Sequence, residues 1–236
     1  IPRADGFDHR FFGVSSAEAG TMDPQQRLLL EESYAAFAAA GLRRSELMGT
    51  GTGVFLGIMN TDYACFVRSA AGGVYAPTGG AISVAAGRVS FALGLQGPCM
   101  SVDTACSSAL SALHAGCREL HAGGCDVTLA AAASLMLQPQ PSLQYAAAGM
   151  LSADGRCKTF DTHANGYVRG EGVGAAALGT AKADVSALSG CAVRADGTRA
   201  RQNELHYMGM QKFMCEHWLV VCKPALRMAR RHSILG

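Results

Sequence analysis

Cys106 is the residue of this 236-residue chain whose surroundings are most informative about chemistry. It lies in the segment VDTACSSAL (102–110), between a short apolar run and a stretch rich in small residues. The first N–H groups of a helix have no intrahelical partner and carry partial positive charge, so a thiolate is favoured beside them. The alternative is a buried structural cysteine, because free cysteine is among the most buried residue types. Local physics alone leaves both interpretations open.

Two predicted elements position this cysteine. Residues 99–102 follow the turn Gly97-Pro98 and are predicted to form a short strand. After Cys106 the pattern predicts a helix that ends at Gly123-Gly124. Its apolar face is predicted to contain Leu110, Leu113, Cys117 and Leu120. A strand, a sharp turn with a nucleophile and then a helix is a recurrent way of exposing one reactive atom.

The rest of the pattern predicts an α/β architecture. Asp23 is a predicted N-cap, with Pro24 at the first helical position and Gln26 completing a capping box. This helix should bury Leu30, Tyr34 and Phe37 and end at Gly41. Buried strands are predicted at 53–58 and 127–133. Short apolar strands that alternate with helices favour a mostly parallel or mixed sheet.

Several motifs, correctly ordered along the chain, resemble those of β-ketoacyl synthases, the condensing (ketosynthase) domains of polyketide and fatty-acid synthases. The resemblance includes the segment around Cys106 and covers residues 7 to about 198. The upstream motifs, similar to the modular polyketide type, are FDHRFFG (7–13) and MDPQQRLLLE (22–31). The downstream motifs are GMLS (149–152), DGRCKTFD (154–161) and GYVRGEG (166–172).

This resemblance implies a thiolase-like layered α/β fold, here its N-terminal half, with a mixed, mostly parallel sheet and a buried nucleophile helix. It implies that Cys106 accepts an acyl chain as a thioester, with its backbone N–H in the oxyanion hole. Decarboxylative condensation with a malonyl-type extender would follow. No bound cofactor is expected, because the phosphopantetheine arm of an acyl carrier protein delivers the acyl and malonyl-type thioesters. The complete domain is expected to be a homodimer.

Histidines complete the condensation chemistry in this family, and the motifs that contain them are absent from this sequence. One is His-Gly-Thr-Gly-Thr and the other follows an Asn-x-Gly pattern, with a helper lysine. His9, His114, His121 and His163 lie within the matched region but outside such motifs, so surface or packing roles are predicted for them. We expect acyl loading without condensation, and a non-catalytic structural or interaction remnant of a condensing domain is the alternative.

The resemblance stops near Arg201. We therefore predict a partial ketosynthase domain over residues 1–200 and a tail without family character over 201–236, with a shifted reading frame or exon boundary as the hypothesis for its origin. The N-terminus also begins inside the family pattern. Such a fragment is expected to expose apolar faces and to be poorly soluble or to associate.

Composition excludes several classes of function. The chain is 49% hydrophobic and 16% charged, which suits one compact domain, and its net charge of +2 gives no electrostatic case for nucleic acid. No run approaches the roughly 18 apolar residues of a membrane span, and no signal segment is evident. We expect a cytoplasmic protein whose nine cysteines are reduced.

Ligand-binding motifs of other kinds are not predicted. The glycine-rich stretches Gly49–Gly53 and Gly170–Gly174 lack the spacing of phosphate or dinucleotide loops, so turns or close packing should explain them. No metal site is predicted either. His206, Cys215, His217 and Cys222 carry suitable ligand atoms but lack a recognised zinc spacing.

Overall fold

The computed structural model describes residues 1, 5–69, 73–180, 188 and 190–193. In chain order the elements are α1 (Ser16–Thr21), α2 (Pro24–Ala39), α3 (Arg44–Leu47), β1 (Gly53–Ile58), α4 (Asp62–Ser69), a 3-10 turn (Gly73–Tyr75), α5 (Ala76–Gly79), α6 (Ile82–Leu93), β2 (Cys99–Val102), α7 (Ser108–His121), β3 (Val127–Ser134), α8 (Gln140–Ala147) and β4 (Gly172–Gly179). One compact unit holds Ile1–Leu135 and β4, and a second holds Met136–Gly170. The predicted tail, 201–236, lies outside the described residues.

The first unit is built on a four-stranded sheet in the order β2-β1-β3-β4. β1 runs parallel to both β2 and β3, and β4 is antiparallel to β3. In register, Val54 of β1 lies opposite Cys99 of β2 and Leu129 of β3. The predicted α/β class with a mixed, mostly parallel sheet is confirmed, and so are the strands at 53–58, 99–102 and 127–133.

Helices cover both faces of the sheet, which explains why every residue of β1 is buried. Alternate residues of a strand point to opposite faces. Val54, Leu56 and Ile58 therefore join the main core, which includes buried apolar residues of α2 and α6. Phe55 and Gly57 point to the other face, where α7 packs.

The start of α2 is only partly as predicted. Asp23 is the N-cap and accepts a hydrogen bond of 2.8 Å from Gln25 N–H, and Pro24 opens the helix. The predicted capping box with Gln26 is wrong. Gln26 Nε2 instead donates to the Ala81 carbonyl at 3.1 Å, and its Oε1 accepts from Arg88 Nε at 2.7 Å. Tertiary partners have displaced the local capping interaction because this side chain is buried.

The second unit contains α8 and a loop tied by polar side chains. Lys158 Nζ lies 2.7 Å from Asp154 Oδ2 and 3.3 Å from Asn165 Oδ1. Hydrogen bonds from Lys158 and Ser152 hold the pKa of the Asp154 carboxyl well below its usual range. The DGRCKTFD motif therefore contributes an ordered surface loop to this unit.

No helix in the described part of the chain is long and apolar enough to cross a membrane.

Candidate active site

Cys106 lies in the connection between β2 and α7, at the carboxyl end of a parallel strand. It directly precedes Ser107, the N-cap of α7, and its side chain is exposed. The interpretation of Cys106 as a buried structural cysteine is therefore wrong. The predicted order of strand, sharp turn and helix is confirmed, with the thiol two residues ahead of the first helical residue.

The turn that carries Cys106 contains a backbone conformation that alanine rarely adopts. Ala105 has φ of 55°, in the left-handed region, where an L side chain crowds the backbone. Two side chains hold Ala105 in this conformation. Asp103 Oδ1 accepts a hydrogen bond from Ala105 N–H at 3.0 Å, and Ser108 Oγ donates to the Ala105 carbonyl at 2.6 Å.

Further hydroxyl groups complete a network around the same turn. Thr104 N–H donates to Ser108 Oγ at 2.9 Å, and Ser107 Oγ donates to the Thr104 carbonyl at 2.6 Å. Thr104 Oγ1 and Ser111 Oγ are 3.0 Å apart. An isolated backbone bridge pairs Thr104 with Cys106 within this turn. The Cys106 amide lies directly before the N-cap of α7.

α7 is held against the sheet by small residues. Ser108, Ala112, Gly116 and Cys117 are its buried positions. Leu110, Leu113 and Leu120 of the predicted apolar face are half-buried, and the small residues lie nearest the sheet. The reason is the close approach of the helix: a Cβ on Gly57 of β1 would lie 2.5 Å from backbone atoms of Ser108 and Ala109.

Two buried amides that the sequence analysis missed join the carboxyl ends of β1 and β3. Gln25 Nε2 donates to the Asn60 carbonyl at 2.9 Å, and Gln25 Oε1 accepts from Leu135 N–H at 3.2 Å. Asn60 Nδ2 donates to Ser134 Oγ at 3.0 Å and to the Leu135 carbonyl at 2.8 Å. The sequence signal was two adjacent glutamines at the start of a helix whose other buried residues are apolar except Ser33.

The β-ketoacyl synthase N-terminal domain model matches residues 1–183 of this sequence. The chain belongs to the β-ketoacyl synthase family. Polyketide synthase GfsA of Streptomyces halstedii is 45% identical over 183 residues, which are 76% of this chain and 2% of that protein. The non-reducing polyketide synthase ausA of Penicillium brasilianum is 43% identical over 180 residues, which are 75% of this chain and 7% of that protein.

Solved ketosynthases share the fold of this family member. The ketosynthase from module 6 of the bacillaene synthase from Bacillus subtilis 168 superimposes with a TM-score of 0.70 at 39% identity. The match covers 76% of this chain and 31% of that chain. The thiolase-like fold predicted from the resemblance is confirmed, and the chain spans about a third of the solved ketosynthase.

The cysteines of this ketosynthase chain differ widely in exposure. Seven lie in the described part: Cys65, Cys99, Cys106 and Cys157 are exposed, Cys191 is intermediate, and Cys117 and Cys125 are buried. Burial and the nearby Glu119 carboxylate raise the pKa of the Cys125 thiol. The chain thus contains an exposed reference thiol outside the sheet, Cys157, and two buried thiols, Cys117 and Cys125, that report on unfolding.

Histidines of the described region bond to local groups. His9 Nδ1 donates to the Val14 carbonyl at 2.6 Å and His121 Nδ1 to the Cys117 carbonyl at 2.7 Å. The His163 ring lies 3.0 Å from Asp161 Oδ1. These contacts agree with the packing and surface roles predicted for them.

The glycine-rich stretches and the candidate metal ligands were also considered in the sequence predictions. Gly49 (φ 78°) lies in a turn, and a Cβ on Gly53 would lie 2.9 Å from Phe55. Gly170, Gly172 and Gly174 have open space around them, so close packing is the wrong explanation there. Among the residues described, no group of three or more His, Cys, Asp or Glu is placed to hold a metal ion. The four possible ligands from His206 to Cys222 lie outside those residues.

Proposed function

We propose that this chain is the acyl-accepting part of a polyketide ketosynthase, with Cys106 as the nucleophile. The observation that carries the proposal is an exposed thiol in a tight turn directly before a helix. The Cys106 sulfur attacks the carbonyl carbon of an acyl thioester. The carbon–sulfur bond to the carrier then breaks, and the departing thiolate takes up the proton that Cys106 loses.

The Cys106 N–H supplies one donor to the oxyanion formed in this step. The neighbouring amides of Thr104, Ala105, Ser107 and Ser108 all donate within the turn. The Cys106 amide lies between them at the positive end of α7, where it would face the oxygen of a thioester bound at the adjacent sulfur. A donor that is already oriented stabilises negative charge without reorganisation at the moment of reaction.

The partner in this proposal is an acyl carrier protein. Its phosphopantetheine arm delivers an acyl group, and the chain needs no resident cofactor for the transfer. Malonyl-type thioesters are the proposed extender substrates of the complete domain. Acyl loading at Cys106 is the step that we propose for the residues of this chain.

A second copy of the chain is the other proposed partner. β2 is an edge strand, and among the described residues no strand pairs with its outer side. Its Cys99 and Met100 side chains are exposed, Met100 to 44%. An exposed edge with an apolar side chain is a template for strand pairing between chains. This supports a homodimer formed through β2.

Acyl loading is tested by incubating the chain with an acyl-carrier thioester and measuring its intact mass. We expect one acyl adduct, lost in Cys106→Ala and retained in Cys99→Ala, because both thiols are exposed and only Cys106 precedes a helix. An adduct that disappears in Cys99→Ala instead would contradict the assignment. No adduct in any variant would favour the non-catalytic remnant.

A further inference from the structure

We propose that Ser108 is the positioning residue of this site: its buried hydroxyl locks the left-handed turn at Ala105 and thereby fixes the thiol and amide of Cys106. This inference rests on the proposed function of Cys106. It concerns the geometry of the nucleophile, whereas the proposed function concerns the substrate that the nucleophile attacks.

Both hydrogen-bonding capacities of the Ser108 hydroxyl are used within the turn. It donates to the Ala105 carbonyl at 2.6 Å and accepts from Thr104 N–H at 2.9 Å. These two backbone groups lie on either side of the peptide unit that joins Thr104 to Ala105. Ser108 is 5% exposed, so water does not readily replace either bond.

Capping of α7 does not explain this hydroxyl. The N-cap is Ser107, whose side chain makes no capping hydrogen bond to the helix. Ser108 is the first helical residue, and its hydroxyl bonds back to the turn and not forward to the helix amides. Its bonds therefore serve the segment that carries Cys106.

The sheet anchors Ser108 from the other side. Gly57 of β1 approaches so closely that an added Cβ would lie 2.5 Å from the Ser108 carbonyl carbon. β1 therefore fixes the position of Ser108, and the Ser108 hydroxyl fixes the backbone of Ala105. Cys106 is held in place because it directly follows Ala105. Because alanine disfavours positive φ, the turn should relax to another conformation once the hydroxyl is removed.

The test is the alkylation rate of each cysteine with iodoacetamide at pH 7, followed by peptide mass mapping of the full chain. Ser108→Ala removes both hydrogen bonds of the hydroxyl. We expect Cys106 to react at least about tenfold more slowly, since each lost buried hydrogen bond is worth about three- to tenfold. The relaxed turn no longer holds the sulfur in its exposed position directly before α7, where iodoacetamide reaches it. Cys157, which is exposed and lies outside β2, serves as the reference, and its rate should stay unchanged.

Ser111→Ala is the matched control, because it removes a hydroxyl from a more exposed part of the same network. Its Cys106 rate should remain within about twofold of the unmodified chain. Equal slowing in both serine variants would overturn the special role of Ser108. An unchanged Cys106 rate in Ser108→Ala would do the same.

A second variant separates positioning from folding. If Ser108→Ala also makes Cys117 and Cys125 reactive, the chain has unfolded. Ala105→Gly is then combined with Ser108→Ala, because glycine adopts positive φ without strain. We expect this addition to restore the Cys106 rate while both buried cysteines are protected again. No restoration would refute the proposal. A wild-type chain that shows this alkylation pattern but accepts no acyl group would refute the proposed function and leave the role of Ser108 intact.

Discussion

Gly57→Ala should displace the start of α7 and with it the Cys106 turn. The added Cβ would meet Ala109 N and the Ser108 carbonyl carbon at 2.5 Å and the Ser108 carbonyl oxygen at 2.6 Å. All three are backbone atoms, so no side-chain rotation relieves the clash. The helix must move by about 1 Å to reach ordinary van der Waals contact.

This displacement gives two measurable effects. Overpacking of this kind destabilises by about 1–3 kcal/mol, which urea unfolding measures. A reacting group displaced by ~1 Å loses about a hundredfold in rate. We therefore expect the rate of acyl-adduct formation at Cys106 to fall by more than the loss of folded chain explains.

Gly87→Ala is the control for Gly57→Ala. Gly87 lies inside α6, and a Cβ there meets nothing within 4 Å. The same substitution should stabilise the chain at this position by about 0.5–1 kcal/mol and leave Cys106 loading unchanged. If Gly57→Ala kept both the stability and the loading rate of the unmodified chain, the inferred contact between β1 and α7 would be refuted.

Three further perturbations test other parts of the chain. The folded-state pKa of Asp154 lies below its ordinary value of 3.8, so its contribution to stability is complete above that pH and is lost as the pH falls through the folded-state pKa. Urea titrations at several acidic pH values should accordingly show a weaker acid dependence in Asp154→Asn. Gln25→Leu removes the partner of the Asn60 carbonyl and of the Leu135 N–H and should lower the free energy of unfolding by about 3 kcal/mol. Gln96→Leu, at an exposed position, should change the free energy of unfolding little. Met100→Lys places a charge on the edge strand and should lower the dimer fraction measured by sedimentation equilibrium. Val74→Lys is the control, because Val74 is 84% exposed and lies outside β2. An equal effect of both substitutions would argue against β2 as the interface.

Short sequence patterns predicted the helices and strands around Cys106, because each of these elements depends on residues that are close together in the chain. The N-cap at Asp23, the buried strand β1 and the helix after Cys106 each follow from residue type and spacing over a few positions. β3 was predicted despite its alanines, since its apolar run is bounded by polar and turn residues. The motif order then indicated the family, which the match over residues 1–183 shows.

Contacts between distant segments determined which side chains are buried and which hydrogen bonds they form, and the short sequence patterns did not predict these. The leucines of α7 share a face that is only half-buried, whereas Ser108, Ala112 and Gly116 are buried because the helix comes close to β1 and β3. The Gln26 side chain forms no capping box, because Ala81 and Arg88, more than fifty residues away, provide its partners. Neither outcome depends on the neighbouring sequence.

By itself the sequence determined which atom is the candidate nucleophile and which family of folds surrounds it, because a thiol before a helix and an ordered set of motifs are properties of adjacent residues. Only the tertiary structure decided how that thiol is held. The left-handed Ala105, the buried Ser108 hydroxyl and the contact at Gly57 arise where β1 meets α7, segments about fifty residues apart. Contacts between distant segments are set by packing, and residue spacing along the chain does not specify them.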